Sequence, residues 1–232
     1  VYLPDSFMAT PRAPIDPHRP TRAEAGLPEH GIVFANFNQP MKFEPVIFGC
    51  WMRILHQVPG SVLWFGEWNH RTGRQLRQAA EDRGIDGARL VFAPLMDHPK
   101  HLARLQLADL VLDNRLHGGG VTTVDALWAG VPVLSVAGAD PAARLGATLN
   151  AAAGLPEMTV GSLADYETLA VRLAMDPGQL RDLSVRLLQG RDSAALFDQV
   201  RYRRHLERAY TMIWRNYRAG GPKLPIDVPP VG

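Results

Sequence analysis

Apolar residues recur along the chain in short blocks separated by longer amphipathic stretches, the pattern of strands alternating with helices. Residues 32–37 (Ile-Val-Phe-Ala-Asn-Phe) read as a first strand and residues 44–57 as an amphipathic helix. Residues 61–65, 71–83 and 89–94 continue as strand, helix and strand, and 96–107 supply a loop and helix. Leu110-Val111-Leu112 open a fourth strand; Gly118-Gly119-Gly120 lead into a helix carrying Val124, Leu127 and Trp128; after Gly130, residues 131–136 form a fifth strand. This strict alternation predicts an α/β fold, a Rossmann-like parallel sheet with flanking helices and right-handed crossovers.

Beyond the fifth strand the pattern turns helical. Residues 138–153 read as a loop and helix, Ser162 caps a helix over 163–175 with Asp165 in its first turn, and Pro177 opens another to about 188. A long helix over 197–217 places Val200, His205 or Leu206, Ala209, Tyr210, Ile213 and Trp214 on one face, with Arg201, Arg203, Arg204, Glu207 and Arg208 mostly outside. The start of the chain carries Pro4, Pro11, Pro14, Pro17, Pro20 and Pro28 with few apolar residues, which reads as an extended connector. The expected division is a connector over 1–30, a ligand-binding Rossmann-like domain over 31–158, and helices over 159–232 packing on the same lobe.

Candidate chemistry concentrates at the glycine loop. Three consecutive glycines allow close approach of backbone to a ligand, and the N-terminus of the helix that follows favours a phosphate. Thr122 and Thr123 add hydroxyls, and Asp125, one turn into the helix, could reach the hydroxyls of a ribose. Together these features fit a nucleotide diphosphate; the competing reading is an ordinary strand-to-helix turn with threonine caps. Neither G-x-G-x-x-G nor a P-loop is present. Lys42 follows the first strand in the polar loop Asn38-Gln39-Pro40-Met41-Lys42, where open α/β sheets place ligands, although solvated surface is the default for lysine. His98 and His101, one helical turn apart, would need a third ligand such as His117 to hold a metal. Glu44 reads as a helix-start residue and Cys50, beside Trp51, as a packed core thiol.

Composition narrows the function classes. A chain of 232 residues with 46% hydrophobic and 21% charged content has the make-up of a globular protein with a substantial core. A formal charge of +2 is too small to imply nucleic-acid or membrane partners, and the basic face of the last helix reads as solvated surface. No apolar run reaches membrane-spanning length. The single cysteine excludes an internal disulfide and suits a reducing, cytoplasmic setting.

Several motifs stand in register along nearly the whole chain. They include Tyr2-x-Pro4-Asp5-Ser6-Phe7, Asn36-Phe37-Asn38-Gln39-x-x-Lys42, Ser61-Val62-Leu63-Trp64, and Gly-Gly-x-Thr-Thr-x-Asp-Ala-Leu-Trp-Ala-Gly-Val-Pro-Val from Gly119 to Val133. Ala143-Arg144, Gly154-Leu155-Pro156-Glu157, Leu196-Phe197-Asp198 and Tyr210-Thr211-Met212-Ile213-Trp214 follow. In this series the chain closely resembles the O-linked N-acetylglucosamine transferase family, including bacterial sequences that also carry Gly-Gly at this loop.

The resemblance implies the C-terminal, nucleotide-sugar-binding lobe of a GT-B glycosyltransferase. Family members transfer N-acetylglucosamine from UDP-N-acetylglucosamine to Ser or Thr of proteins without a metal or other cofactor. By position, Gln39 and Lys42 would meet the pyrophosphate, with Lys42 stabilising the departing UDP. Met96, Asp97 and His98 with His101 and Arg104 would form the uridine pocket, Gly119, Gly120, Val121 and Thr122 the phosphate cradle, and Asp125 the ribose contact. An N-terminal lobe with a catalytic-side histidine, and tetratricopeptide repeats ahead of it, are implied partners. Three departures stand out: Gly120-Val121-Thr122 in place of His-Thr-Thr, His98 in place of a lysine, and Phe65-Gly66-Glu67-Trp68 where Leu-Leu is common. They leave open a relative using another nucleotide sugar or acceptor, such as GDP-fucose or asparagine, and an inactive nucleotide-binding or interaction lobe.

Overall fold

The computed structural model describes residues 1–8 and 10–231; Ala9, in the expected connector, and Gly232, at the end of the expected helical extension, lie outside the described residues. Six parallel strands form one sheet in the order β3-β2-β1-β4-β5-β6: β1 (Val33–Asn36), β2 (Val62–Gly66), β3 (Leu90–Ala93), β4 (Leu110–Leu112), β5 (Val133–Val136) and β6 (Thr159–Val160). The connecting helices are α1 (Pro45–Gln57), α2 (His70–Glu81), α3 (His98–Leu105), α4 (Val121–Ala129) and α5 (Leu145–Ala152). After β6 come α6 (Leu163–Met175), α7 (Pro177–Gly190) and α8 (Gln199–Arg218). Every residue of β1, β2, β4 and β5 is buried, because helices cover both faces of a parallel sheet; this is why these strands read as unbroken apolar runs. Among the described residues no helix is long and apolar enough to cross a membrane.

The chain winds outward from β1 to β3, then returns to place β4 on the other side of β1, with Phe34 opposite Leu110 and Ala35 opposite Val111. At that reversal the loops leaving β1 and β4 diverge to opposite faces and open a crevice at the strands' C-terminal ends. Trp51 of α1, Trp64 and Phe65 of β2, Phe34 of β1 and Tyr166 of α6 fill the core beneath it. Their polar atoms make a short relay: Trp51 Nε1 donates to Tyr166 Oη at 3.3 Å, and Tyr166 Oη donates to the Asp113 carbonyl at 2.9 Å.

Helix starts follow the local chemistry. Glu44 accepts from the Val46 and Ile47 amides, Asn69 from Thr72, Ser162 from Asp165, Asp176 from Gln179 and Asp198 from Arg201. Gly120 stands at the start of α4 with no side-chain cap. Gly130 ends α4 at φ +86°, a left-handed conformation that glycine adopts without a steric cost.

Three features differ from the pattern-based expectation. β6 is an additional strand, too short and too half-buried to give a period. The face of α8 expected to be apolar and packed is largely exposed: only His205 and Ala209 are buried, while Val200, Tyr210, Ile213 and Trp214 face outward. That helix is held near its start by the ion pair of Arg201 with Asp5. The proline-rich start, described at 1–8 and 10–30, carries no helix or strand and turns at 22–26, and it lies strapped along the lobe. Thr10 Oγ1 donates to the Leu196 carbonyl, Trp128 Nε1 donates to the Ala13 carbonyl at 2.8 Å, Arg22 pairs with Asp109 at 3.1 Å, and Leu27 is buried.

Asp113, at the end of β4, is fully buried. One carboxylate oxygen accepts from the Asn114 and Gly119 amides, each at 2.8 Å, and the other from Ser135 Oγ of β5 at 3.0 Å. Burial nonetheless pushes its pKa up to about 6. A carboxyl whose folded pKa lies above its unfolded value stabilises the fold fully below the unfolded value, and this contribution is lost as pH rises through about 6. We expect Asp113→Asn, which keeps an oxygen for both amides, to remove this loss. Urea titrations across pH 4 to 6 will show unfolding free energy falling by about 2 kcal/mol more in the wild type than in the variant.

Candidate functional site

The crevice between β1 and β4 is built from both loops. Asn36, the last residue of β1, donates through Nδ2 to the Leu112 carbonyl at 2.8 Å and to Asn114 Oδ1 at 3.1 Å, bridging the two strand ends. Its Oδ1 accepts from the Asn38 amide and side chain, which fixes the start of the loop. Asn38 Oδ1 then accepts from Thr122 Oγ1 at 2.8 Å and from Lys42 Nζ at 3.4 Å. Lys42 rides on a 3-10 turn, Pro40–Lys42, and also donates to the Gly118 carbonyl at 3.1 Å. The lysine and the glycine loop, distant in sequence, are therefore in direct contact. Burial pulls the Lys42 ammonium below the ordinary lysine range, opposed by the Asp113 carboxylate.

The three glycines have different reasons to be glycine. A Cβ on Gly118 would stand 3.0 Å from Asp113 Oδ2, and one on Gly119 would meet Thr123 Oγ1 at 2.4 Å and Thr122 Oγ1 at 2.6 Å. These two make room for the protein itself. A Cβ on Gly120 would meet nothing within 4 Å, so the open backbone of the loop is there, at the uncapped start of α4.

Beside the loop lies a cavity of about 220 Å³. Thr122 and Asp125 of α4 line one side; His98, His101 and Arg104 of α3 line another, with Met96 and Leu95 before them; Phe37, Gly66 and Trp68 complete it. His98 Nε2 bonds Asp125 Oδ1 at 2.9 Å. Burial raises the Asp125 pKa above the ordinary carboxylate value while the His98 contact holds it down. His101 is pulled down to about 4 by burial and by the charges of Arg104 and His98; it is neutral at pH 7 and accepts from Arg104 Nε through Nδ1 at 3.0 Å. Arg104 is itself lowered to about 10 by burial, donates to the Pro94 carbonyl, and lies 5.0 Å above the Phe37 ring. An apolar slot with a neutral imidazole on one wall and a carboxylate at one end suits a flat heterocycle carrying a hydroxylated ring.

Of the sequence-predicted residues, Lys42, Met96, His98, His101, Arg104, Thr122 and Asp125 meet at the crevice or line its cavity, with Gly119 and Gly120 in the loop between. Gln39 and Val121 are exposed, and Asp97 stands at the start of α3 without a side-chain cap bond. Sequence reasoning did not single out Asn36, Asn38, Asn114 and Ser135 as working parts. For Asn36 and Ser135 the signal was a polar residue closing or interrupting an otherwise apolar strand; Asn38 and Asn114 lie in the loops just beyond. Among the described residues no group of three or more His, Cys, Asp or Glu stands close enough to hold a metal ion.

This architecture and these residues have relatives. The chain is 34% identical over 207 residues to a Caenorhabditis elegans UDP-N-acetylglucosamine-peptide N-acetylglucosaminyltransferase, covering 89% of this chain and 18% of that protein. It is 34% identical over 221 residues to an Arabidopsis thaliana protein described as a probable enzyme of the same name, SEC, covering 94% of this chain and 23% of that one. Its structure superposes on a mutant of the Thermobaculum terrenum O-GlcNAc transferase with a TM-score of 0.77 and 32% identity, over 80% of this chain and 36% of that one. The chain thus spans about a fifth of the length of these curated relatives, and its fold is that of the C-terminal lobe of a GT-B glycosyltransferase. The profile of glycosyl transferase family 41 matches residues 8–206, and the chain belongs to that family.

Proposed function

We propose that this chain is the donor-binding lobe of a protein O-N-acetylglucosaminyltransferase, binding UDP-N-acetylglucosamine for inverting transfer to Ser or Thr hydroxyls of proteins. The observation that carries the reading is the contact of Lys42 with Gly118 across the β1/β4 crevice, next to a cavity ended by Asp125. Uracil enters the slot against His101, the ribose hydroxyls donate to Asp125, and the diphosphate lies along Gly120, Val121 and Thr122, with Gln39 reaching over it from the β1 loop.

In the reaction the acceptor hydroxyl oxygen forms a bond to the anomeric carbon on the face opposite UDP. The bond from that carbon to the β-phosphate oxygen breaks, and UDP leaves with the electron pair. The Lys42 ammonium, held by Asn38 and Gly118, stands where that negative charge grows and stabilises the transition state electrostatically. Its partly buried setting strengthens the effect, because charge is poorly screened there. The proton of the acceptor hydroxyl goes to a group outside these residues, on an N-terminal lobe. Tetratricopeptide repeats ahead of that lobe would select protein partners. The reaction needs no metal or other cofactor, and a reducing, cytoplasmic compartment fits the single buried thiol Cys50.

Calorimetric titration tests the proposal. UDP and UDP-N-acetylglucosamine should bind the 232-residue chain more tightly than GDP, and a chelator should leave the UDP titration unchanged. Lys42→Ala and Asp125→Ala should each weaken UDP binding by about tenfold or more, since each removes a charge-assisted contact. A preference for GDP would shift the reading to another donor; no nucleotide heat at all would end it. In a separate assay, sugar transfer to protein should appear only when an N-terminal lobe is supplied, and turnover by this chain alone would contradict the division of labour.

A further inference from the structure

The cavity beside Asp125 has one wall whose purpose the donor reading leaves unassigned. Trp68 lines it, 39% exposed, in the connection between β2 and α2. A flat ligand laid on the open part of this indole would remove apolar surface from water on both partners. Its position is set from both sides. Before it, the Glu67 amide donates to the Ala93 carbonyl at 2.7 Å and Glu67 Oε1 bonds His70 Nδ1 at 2.6 Å; after it, Asn69 caps α2. The main chain thus holds the indole between two fixed points.

Gly66 completes the arrangement. A Cβ there would lie 3.3 Å from Trp68 Nε1 and 3.4 Å from Phe37 Cδ1, so the bare glycine lets the indole edge sit close above the end of β2. Phe37 in turn meets His101 edge-on at 4.9 Å. An aromatic frame of Trp68, Phe37 and His101 encloses a mostly apolar slot, and such a frame recognises a flat π-system by stacking and edge contact.

Resting on the donor-lobe reading, we infer that Trp68 is a nucleobase-binding residue, its indole packing on the pyrimidine of the UDP donor from the side opposite α3. It raises affinity for the base without touching the reacting atoms.

UDP titrations of the whole chain, with variants checked for an unchanged melting transition, test this. Trp68→Ala should weaken UDP binding about tenfold; Trp68→Phe should keep most of the affinity, and Trp68→Leu, with bulk but no ring, should not. UDP should also change the tryptophan emission of the wild type and leave that of Trp68→Phe unchanged, since Trp51, Trp64 and Trp128 are buried and Trp214 lies on α8, which does not line the cavity. If wild type binds UDP and Trp68→Ala binds it equally well, or if Trp68→Leu restores binding as fully as Trp68→Phe, the inference fails and the donor-lobe reading stands. If the wild type gives no UDP signal, both fall together.

Discussion

A carboxylate buried at the end of a central strand holds this site in shape. Asp113 closes β4 in the middle of the sheet, where burial penalises charge, and three donors compensate: two backbone amides of its own loop and the hydroxyl of Ser135. Satisfying those oxygens forces Gly119 back over the strand end and ties β5 to β4. Gly118 and Gly146 pack against the same group so closely that a Cβ would stand 3.0 Å and 2.5 Å from Oδ2. The Gly118 amide in turn donates to the Ala142 carbonyl, so the loop after β5 braces the glycine loop from behind. The loop is a rigid consequence of one buried group and its partners, with no residue in it at positive φ.

Rigidity there sets up the electrostatics of the crevice. Lys42 sits within reach of Gly118 and Asn38, and Asn38 is itself pinned by Asn36, which bridges to Leu112 and Asn114 of the facing strand. The ammonium is thereby aimed at the open end of the glycine loop by uncharged partners. A carboxylate in direct contact would have neutralised it; carbonyl oxygens orient it and leave its charge available to an incoming anion. The Asp113 carboxylate acts on it from beneath the loop, which offsets part of the cost of burying the lysine.

Most of the fold was legible because parallel sheets covered on both faces leave unbroken apolar runs and their helices leave amphipathic ones. β6 escaped because two half-buried residues carry no period, and the open face of α8 escaped because amphipathicity reports a capacity to pack without naming a neighbour. In the site, the residues that follow strand ends or open helices were legible: Lys42, Thr122, Asp125 and the α3 group. The supporting polar residues were not, since Asn36 and Ser135 sit inside apolar strands and their partners lie far along the sequence. The glycines were legible as a loop, but their reasons were not. Only the packing distances separate Gly118 and Gly119, which yield space to the protein, from Gly120, which yields it to the crevice.

The two halves of the crevice differ in how firmly their polar groups are committed. Around Asp113 every acceptor is filled from within the chain, so that half has little freedom to adapt. On the α3 side Asp125 has one oxygen bonded to a half-exposed His98, and the other has no bond among the described residues. Burial alone would move that carboxyl toward its neutral form; the histidine contact opposes the move and keeps an acceptor facing the cavity. Asp125 is therefore a carboxylate already oriented by one donor and still able to accept from others. His98 reaches Asp125 from the solvent side, with about half of its own side chain open. The glycine-loop half of the crevice is thus fixed by folding, while the α3 half keeps an exchangeable contact at Asp125.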